Sequence, residues 1–97
     1  IGAQAFRYRK ITSVNIPEGV KKIGAYAFDS CNLTEITIPS TVEEIDILAL
    51  AGNSKLTKIV NKTGKSFKWK SILNTSEDFE FETGTIKIGT REIEVTK

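Results

Sequence analysis

The chain of 97 residues contains no histidine, no methionine and a single cysteine, Cys31. Without histidine it lacks the commonest general base, the usual partner of a serine or cysteine nucleophile, and a frequent zinc ligand. One cysteine excludes an internal disulfide and a thiolate metal site. We therefore predict a protein that is not an enzyme, with no catalytic residues, no metal site and no cofactor.

Long hydrophobic runs and a large charge imbalance are also missing. No stretch of about 18 apolar residues is present, so no membrane insertion is expected. The formal net charge is only +2, which does not favour nucleic acid or a membrane surface as a partner. Because the chain lacks methionine and begins inside a repeat, we expect it to be a fragment, or the C-terminal end, of a longer protein.

What the sequence does contain is a repeat. Residues 1–22 (coil 1) and 23–44 (coil 2) align without a gap, and nine of the 22 columns are identical. A degenerate third copy covers residues 45–60 (coil 3) and contains a one-residue insertion. A fixed period of about 22 residues is typical of a solenoid. We expect residues 1–60 to form the repeats and 61–97 to form a separate cap.

Each coil carries a short run whose apolar residues alternate with polar ones. Ile36 and Ile38 are two apart, so they face one side of a strand, and Pro39 ends that strand. Equivalent strands should stack about 4.8 Å apart in a parallel sheet. The outward side chains then form two rows, which we name the strand face and predict as the binding site: Ser13, Glu35 and Lys58 in one row, and Asn15, Thr37 and Val60 in the other.

The Ala-x-Ala-Phe segments do not have the period of a strand, and we interpret them as one short helical turn per coil. Small alanines let neighbouring coils approach closely. Phe6, Phe28 and Leu50 then form a column inside the stack. We interpret this column as core, because each coil alone is too thin to bury its apolar side chains.

The repeat pattern I-G-x-x-A-F-x-x-C-x-x-L-x-x-I-x-I-P-x-x-V resembles the BspA-like leucine-rich repeat over residues 1–60. Coil 2 has Leu33 one position earlier than the pattern and otherwise matches it at Ile23, Gly24, Ala27, Phe28, Cys31, Ile36, Ile38, Pro39 and Val42. Coil 3 departs from it at Asp46, Leu50 and Asn61. The resemblance implies an α/β solenoid, a right-handed leucine-rich-repeat superhelix of about 2.5–3 coils. It also implies a secreted or cell-surface protein that adheres to a host or matrix protein and has no catalytic residues.

The tail is expected to shield the end of the stack, as solenoids require. Asn61 is interpreted as a polar residue on the exposed end of the last coil. Residues 66–74 are predicted to form a short helix with Ser66 as its N-cap and Trp69 as a lid.

From Phe79 onward the apolar period is two, which predicts an antiparallel meander of three strands. Turns at 83–84 and 89–90 would place Phe81 beside Ile86, and Ile86 beside Ile93. Both registers put the apolar side chains on one face, and that agreement favours the meander.

A lysine-rich stretch, residues 61–70, contains Lys62, Lys65, Lys68 and Lys70 together with two aromatic residues. These lysines could contact a polyanion such as an acidic glycan. We favour a solvated cap edge instead, and no nucleic acid partner is expected.

These observations predict a non-enzymatic protein-binding or adhesion module at the C-terminal end of a longer solenoid. The alternative is a purely structural cap or stalk with no ligand of its own. The sequence leaves the identity of the ligand and the oligomeric state open.

Overall fold

Nine short strands and one helix make up the fold in a computed structural model, which describes residues 1–97. In chain order the elements are β1 (Ser13–Asn15), β2 (Lys22–Ile23), β3 (Glu35–Ile38), β4 (Glu44–Ile45), β5 (Lys58–Asn61), β6 (Phe67–Lys68), α1 (Trp69–Leu73), β7 (Glu80–Phe81), β8 (Gly84–Ile88) and β9 (Arg91–Thr96).

The main sheet has five strands in the order β1-β3-β5-β9-β8. β1, β3 and β5 are parallel, and Val14, Ile36 and Ile59 lie opposite one another. The predicted parallel stacking of the coils is confirmed, including the one-residue offset in coil 3. Ile36 and Ile59 are buried because alternate side chains of a strand share the inner face.

A second sheet pairs β2 with β4, again in parallel, and joins the return segments of coils 1 and 2. One continuous core runs from Ile16 in coil 1 to Val95 in β9. The repeats and the tail therefore share a single hydrophobic interior.

The Ala-x-Ala-Phe segments do not form the predicted helical turn; they are successive β-turns. Two equivalent positions in coils 1 and 2 have a positive φ between 56° and 66°, occupied by Gln4, Tyr8, Tyr26 and Ser30. Left-handed residues interrupt a helix. In addition, alternate N–H groups bond to the next coil: Phe28 N donates to Ala49 O at 2.8 Å. Pairing between coils therefore replaces pairing within a helix.

Gly24 tests how closely the backbones of coils 1 and 2 approach each other. A Cβ built on Gly24 would lie 2.6 Å from the backbone nitrogen of Ala3, whereas a Cβ on the equivalent Gly2 would meet nothing within 4 Å. We expect Gly24→Ala to lower the free energy of unfolding by about 1–3 kcal/mol, as overpacking does. Gly2→Ala is the matched control and should change it by less than about 0.5 kcal/mol. Equal urea midpoints for the two variants would contradict the tight contact between coils.

The tail forms only part of the predicted meander. The β8–β9 hairpin is confirmed in register, with Ile86 opposite Ile93 and Lys87 opposite Glu92. The first predicted pairing is wrong: β7 pairs antiparallel with β6, placing Phe81 opposite Phe67 rather than beside Ile86.

Two contacts explain why β7 leaves the meander. The indole Nε1 of Trp69 donates to Phe81 O at 3.0 Å, and the Asn61 amide donates to Glu82 O at 3.0 Å. These bonds hold the end of β7 against the helix and coil 3. Gly84 is then free to begin β8, where it pairs with Val95.

Helix α1 is shorter than predicted and begins at Trp69, so Ser66 is not its N-cap. Lys68 occupies the N-cap position and makes no side-chain cap, because residues 67–68 are held in β6. Trp69 is fully buried. Within α1, Ile72 O accepts a hydrogen bond from Leu50 N at 3.1 Å, so the helix takes the place that a further turn segment would occupy.

The interpretation of Asn61 as an exposed end residue is wrong; its side chain is fully buried. β9 adds to β5 in parallel, so the strand of coil 3 has a neighbour on both sides. The Asn61 amide donates to Lys65 O and Glu82 O, and its oxygen accepts from the Thr63 N–H and hydroxyl. The buried asparagine is therefore satisfied by the loops of the tail.

Candidate functional site

The strand face lies on the outer side of the main sheet. Its first row follows one cross-strand line, with Ser13 opposite Glu35 and Glu35 opposite Lys58. Its second row joins Asn15, Thr37 and Val60 in the same way, and all six side chains are exposed or half-buried. These six residues and Val14 line a shallow depression of about 290 Å³. The structure thus brings all six predicted residues together on one surface.

β9 extends both rows by one strand. Glu94 lies opposite Lys58 and Thr96 lies opposite Val60, and both added side chains are exposed. Sequence reasoning missed these two residues because it paired β9 only with its hairpin partner. The sequence did carry a signal for them. The hairpin uses only one edge of β9, and the need to bury apolar residues such as Val95 favours pairing of the other edge with a further strand.

The electrostatics of the strand face alternate in sign. Glu35, Lys58 and Glu94 follow one another across three strands, yet none of the three forms a salt bridge. The charges of Glu35 and Lys58 are therefore available to an incoming partner, whereas the Glu94 carboxylate accepts a hydrogen bond from the Thr85 hydroxyl at 3.0 Å. Apart from these charges the surface offers hydroxyl, amide and small apolar groups, which suit contact with a protein surface rather than bond-making chemistry.

The four predicted patch lysines are exposed, but acidic side chains lie among them. Lys68 is opposite Glu80 across the β6–β7 pair, and Lys70 Nζ lies 3.9 Å from Asp78 Oδ1. Lys65 shares a depression with Glu43 and Glu44, and Lys62 shares another with Glu82, which dilutes the positive potential. A polyanion patch at Lys62, Lys65, Lys68 and Lys70 stays a prediction.

Asn53 is a buried polar residue that sequence reasoning missed. It occupies the position in coil 3 that Cys31 occupies in coil 2, and this alignment is the signal that could have found it. Its side-chain oxygen accepts from Cys31 N and Leu33 N, both at 3.0 Å. Its amide donates to the carbonyls of Phe28, Leu50 and Ala51. One side chain therefore satisfies five backbone groups of coils 2 and 3.

Arg91 joins the tail to the same part of coil 3. Its Nη1 donates to Asn53 O and to Leu56 O, both at 2.9 Å. The β8–β9 hairpin is thus held to the repeats by charge-assisted hydrogen bonds as well as by the β5–β9 pairing.

Cys31 is a free cysteine and is buried. Its Sγ donates to Phe6 O at 2.9 Å. Burial raises the pKa of the Cys31 thiol, and the charge of Asp29 raises it further against the opposing effect of backbone hydrogen bonds. A raised pKa lowers the thiolate fraction, so the side chain packs rather than reacts.

No group of three or more histidine, cysteine, aspartate or glutamate residues is placed to hold a metal ion. The one helix, α1, is neither long enough nor apolar enough to cross a membrane.

Stacked strands with inward aliphatic columns, and turns that pair between coils, define a leucine-rich repeat protein. The chain belongs to the BspA-type leucine-rich repeat family: the family model described as BspA type Leucine rich repeat region (6 copies) matches residues 1–94. The match extends well beyond residues 1–60, where the resemblance in the sequence ends. No curated protein and no solved structure matches the chain.

Family membership supports coarse statements about fold and function. It implies a solenoid-like repeat fold and a module for protein interaction, in a family that is generally non-enzymatic and whose members are typically surface or secreted proteins. The structure agrees with the fold statement in being built mostly of strands that include a short parallel sheet.

Proposed function

We propose that this chain is a protein-binding module of a secreted or cell-surface leucine-rich-repeat protein, and that it adheres to a host or matrix protein. In this proposal residues 1–60 are the last coils of a right-handed solenoid, and residues 61–97 are its C-terminal cap. The strand face is the contact surface. The single observation that carries the proposal is the row of unpaired, alternating charges on an exposed sheet face.

A charge exchange tests the strand face without altering the net charge. In the double variant Glu35→Lys/Lys58→Glu, two neighbouring side chains swap signs, so a complementary partner meets repulsion where it met attraction. We expect the dissociation constant to rise by at least about tenfold, measured by surface plasmon resonance against a panel of purified matrix glycoproteins.

The matched control is Lys21→Glu/Glu43→Lys. These two exposed residues lie at equivalent positions of coils 1 and 2, outside the strand face, and carry the same pair of charges. Binding should change by less than about twofold in this variant. Equal loss of binding in both variants, or a normal response of the strand-face variant, would count against the proposal.

The rival proposal, a purely structural cap, is supported by the contacts of β9 and Arg91 with coil 3. Deleting residues 61–97 from the protein distinguishes the two. Because β9 covers β5, the deletion should expose the core and cause aggregation. Aggregation of the deleted protein, seen by size-exclusion chromatography, together with an intact chain that binds no member of the matrix panel would favour the rival, whereas binding by the intact chain would exclude it.

A further inference from the structure

The turn of coil 1 carries Arg-Tyr-Arg-Lys at positions 7–10, where the repeat has small residues. The equivalent sequences are Asp-Ser-Cys-Asn at 29–32 and Ala-Gly-Asn-Ser at 51–54. The backbone path is the same, since Tyr8 N donates to Asp29 O and Ser30 N donates to Ala51 O, both at 2.9 Å. The turn therefore forms without long basic or aromatic side chains, and those of coil 1 need another explanation.

Tyr8 is the least expected of these residues. Its φ is 66°, and the equivalent Ser30 and Gly52 have φ values of 56° and 74°. Bulky residues rarely adopt a left-handed backbone, for which glycine is suited. Tyr8 is 66% exposed, so burial of its ring does not offset this strain. Because Gln4, Tyr26 and Leu48 have the same left-handed backbone in these turns, the exposure of the Tyr8 ring, rather than its φ value, points to contact with another molecule.

Arg7 is held rigidly beside Tyr8. Its guanidinium carbon lies 4.7 Å from the ring centroid of Tyr8 and 4.4 Å from that of Tyr26. Its Nε donates to Asp29 Oδ2 at 2.8 Å. The two terminal nitrogens, Nη1 and Nη2, make no hydrogen bond, and the side chain is 27% exposed. A fixed guanidinium with a free pair of donors matches the geometry of a carboxylate.

Arg9 and Lys10 add positive charge that nothing neutralises. Both are exposed, and neither forms a salt bridge. Asp29 is the only carboxylate bonded to the group, and it is already occupied by Arg7 Nε and the Ser30 hydroxyl. A local excess of cations attracts an acidic partner and accelerates its association.

We propose that Arg7, Tyr8, Arg9, Lys10 and Tyr26, together named the basic turn, bind an acidic segment of a partner protein. A carboxylate of that segment accepts from the free Arg7 nitrogens, the exposed ring of Tyr8 packs against a neighbouring side chain, and Arg9 and Lys10 engage adjacent acidic groups. Tyrosine and arginine are the residue types that dominate interface energetics. The basic turn is separate from the strand face, so this proposal stands without the function proposed above.

An acidic protein segment fits better than a nucleic acid or sulfated glycan. Polyanion binding of the strength seen in DNA-binding proteins draws on about 6–10 phosphate contacts, and the basic turn has three cations, one of them shared with Asp29. A short peptide that carries carboxylates can be bound by this small number of cations. The aromatic ring adds specificity that a purely electrostatic surface lacks.

Fluorescence anisotropy with a fluorescein-labelled peptide of repeated Glu-Glu-Tyr, at an ionic strength of about 0.05 M, tests the proposal. Tyr8→Ser and the double variant Arg9→Asn/Lys10→Asn introduce residues that coils 2 and 3 carry at the same positions. We expect each to raise the dissociation constant at least about tenfold while the urea midpoint stays unchanged. Lys10→Asn alone, at an exposed side chain, gives a smaller rise and keeps the test valid if Tyr8→Ser unfolds the protein.

The control is Lys21→Asn/Lys55→Asn, which removes the same net charge from two exposed lysines outside the basic turn, the strand face and the lysine-rich stretch, and should leave binding within about twofold of the parent. Equal loss of binding in this control would mean that net charge alone attracts the peptide, and would overturn the proposal. Unchanged binding in the Tyr8 and Arg9/Lys10 variants would overturn it as well. If the parent protein bound heparin more tightly than the peptide, the proposal would also be overturned, because the surface would then recognise polyanions in general.

Discussion

Replacing Asn53 with alanine should lower the free energy of unfolding by about 3–5 kcal/mol. The substitution leaves Cys31 N and Leu33 N buried with no acceptor, and an unsatisfied buried donor costs about 1–3 kcal/mol. Three carbonyl groups lose a donor at the same time. Because the stability of a small domain is only about 5–15 kcal/mol, this one side chain carries a large share of it.

Equilibrium urea unfolding followed by circular dichroism measures the effect, since a domain of this size normally unfolds in one transition. Asn15→Ala is the control, because Asn15 is exposed and its side chain makes no hydrogen bond in the structure. It should change the stability by less than about 0.5 kcal/mol. A loss below about 1 kcal/mol for Asn53→Ala would mean that water replaces the amide, and the asparagine would then not be what joins coils 2 and 3.

Phe28→Ala should have an effect of similar size, about 3–5 kcal/mol. Phe28 is fully buried, and its ring stacks on that of Phe6 with 5.3 Å between centroids and 10° between planes. Leu50 continues the column in coil 3 and is 1% exposed. Coil 2 is packed on both sides, so the surrounding backbone cannot collapse into the cavity that alanine leaves.

The matched variant is Phe6→Ala, at the equivalent position of coil 1. Phe6 is 38% exposed, so its removal gives up less burial and should cost about 1–2 kcal/mol. The difference between the two urea midpoints therefore measures stacking between coils. If the two phenylalanines proved equally important, the predicted difference between the half-exposed Phe6 and the fully buried Phe28 would be refuted.

The register of the coils could be predicted because it depends on spacing alone. Apolar residues two apart must share a face, and identical spacing in each copy aligns Val14 with Ile36. The β8–β9 hairpin was predictable for the same reason, because the tight turn at Gly89 sets its register locally. The six residues of the strand face follow directly from the coil register.

The tail was less predictable because its pairings compete. A β7–β8 hairpin satisfies the alternation rule, but the Trp69 indole and the edge of β6 offer Phe81 other partners. Alternation in a sequence says which side chains share a face. It does not say which of two available edges a strand will join.

The candidate site also has residues that spacing predicts and residues that only the tertiary structure adds. Glu94 and Thr96 join the strand face only because β9 lies beside β5, and these two strands are separated in the chain by residues 62–90. The basic turn likewise depends on the tertiary structure, because Arg7 of coil 1 contacts Tyr26 and Asp29 of coil 2.

The sequence by itself determined the repeat, its period and the columns of inward side chains, because these depend on spacing that every copy shares. The tertiary structure alone decided how the buried polar residues Asn53 and Asn61 are satisfied. Asn53 and Asn61 are buried because backbone groups from neighbouring coils and from the tail converge on their amides. A buried amide is stable only where such partners meet, and which distant segments meet is a property of the folded chain.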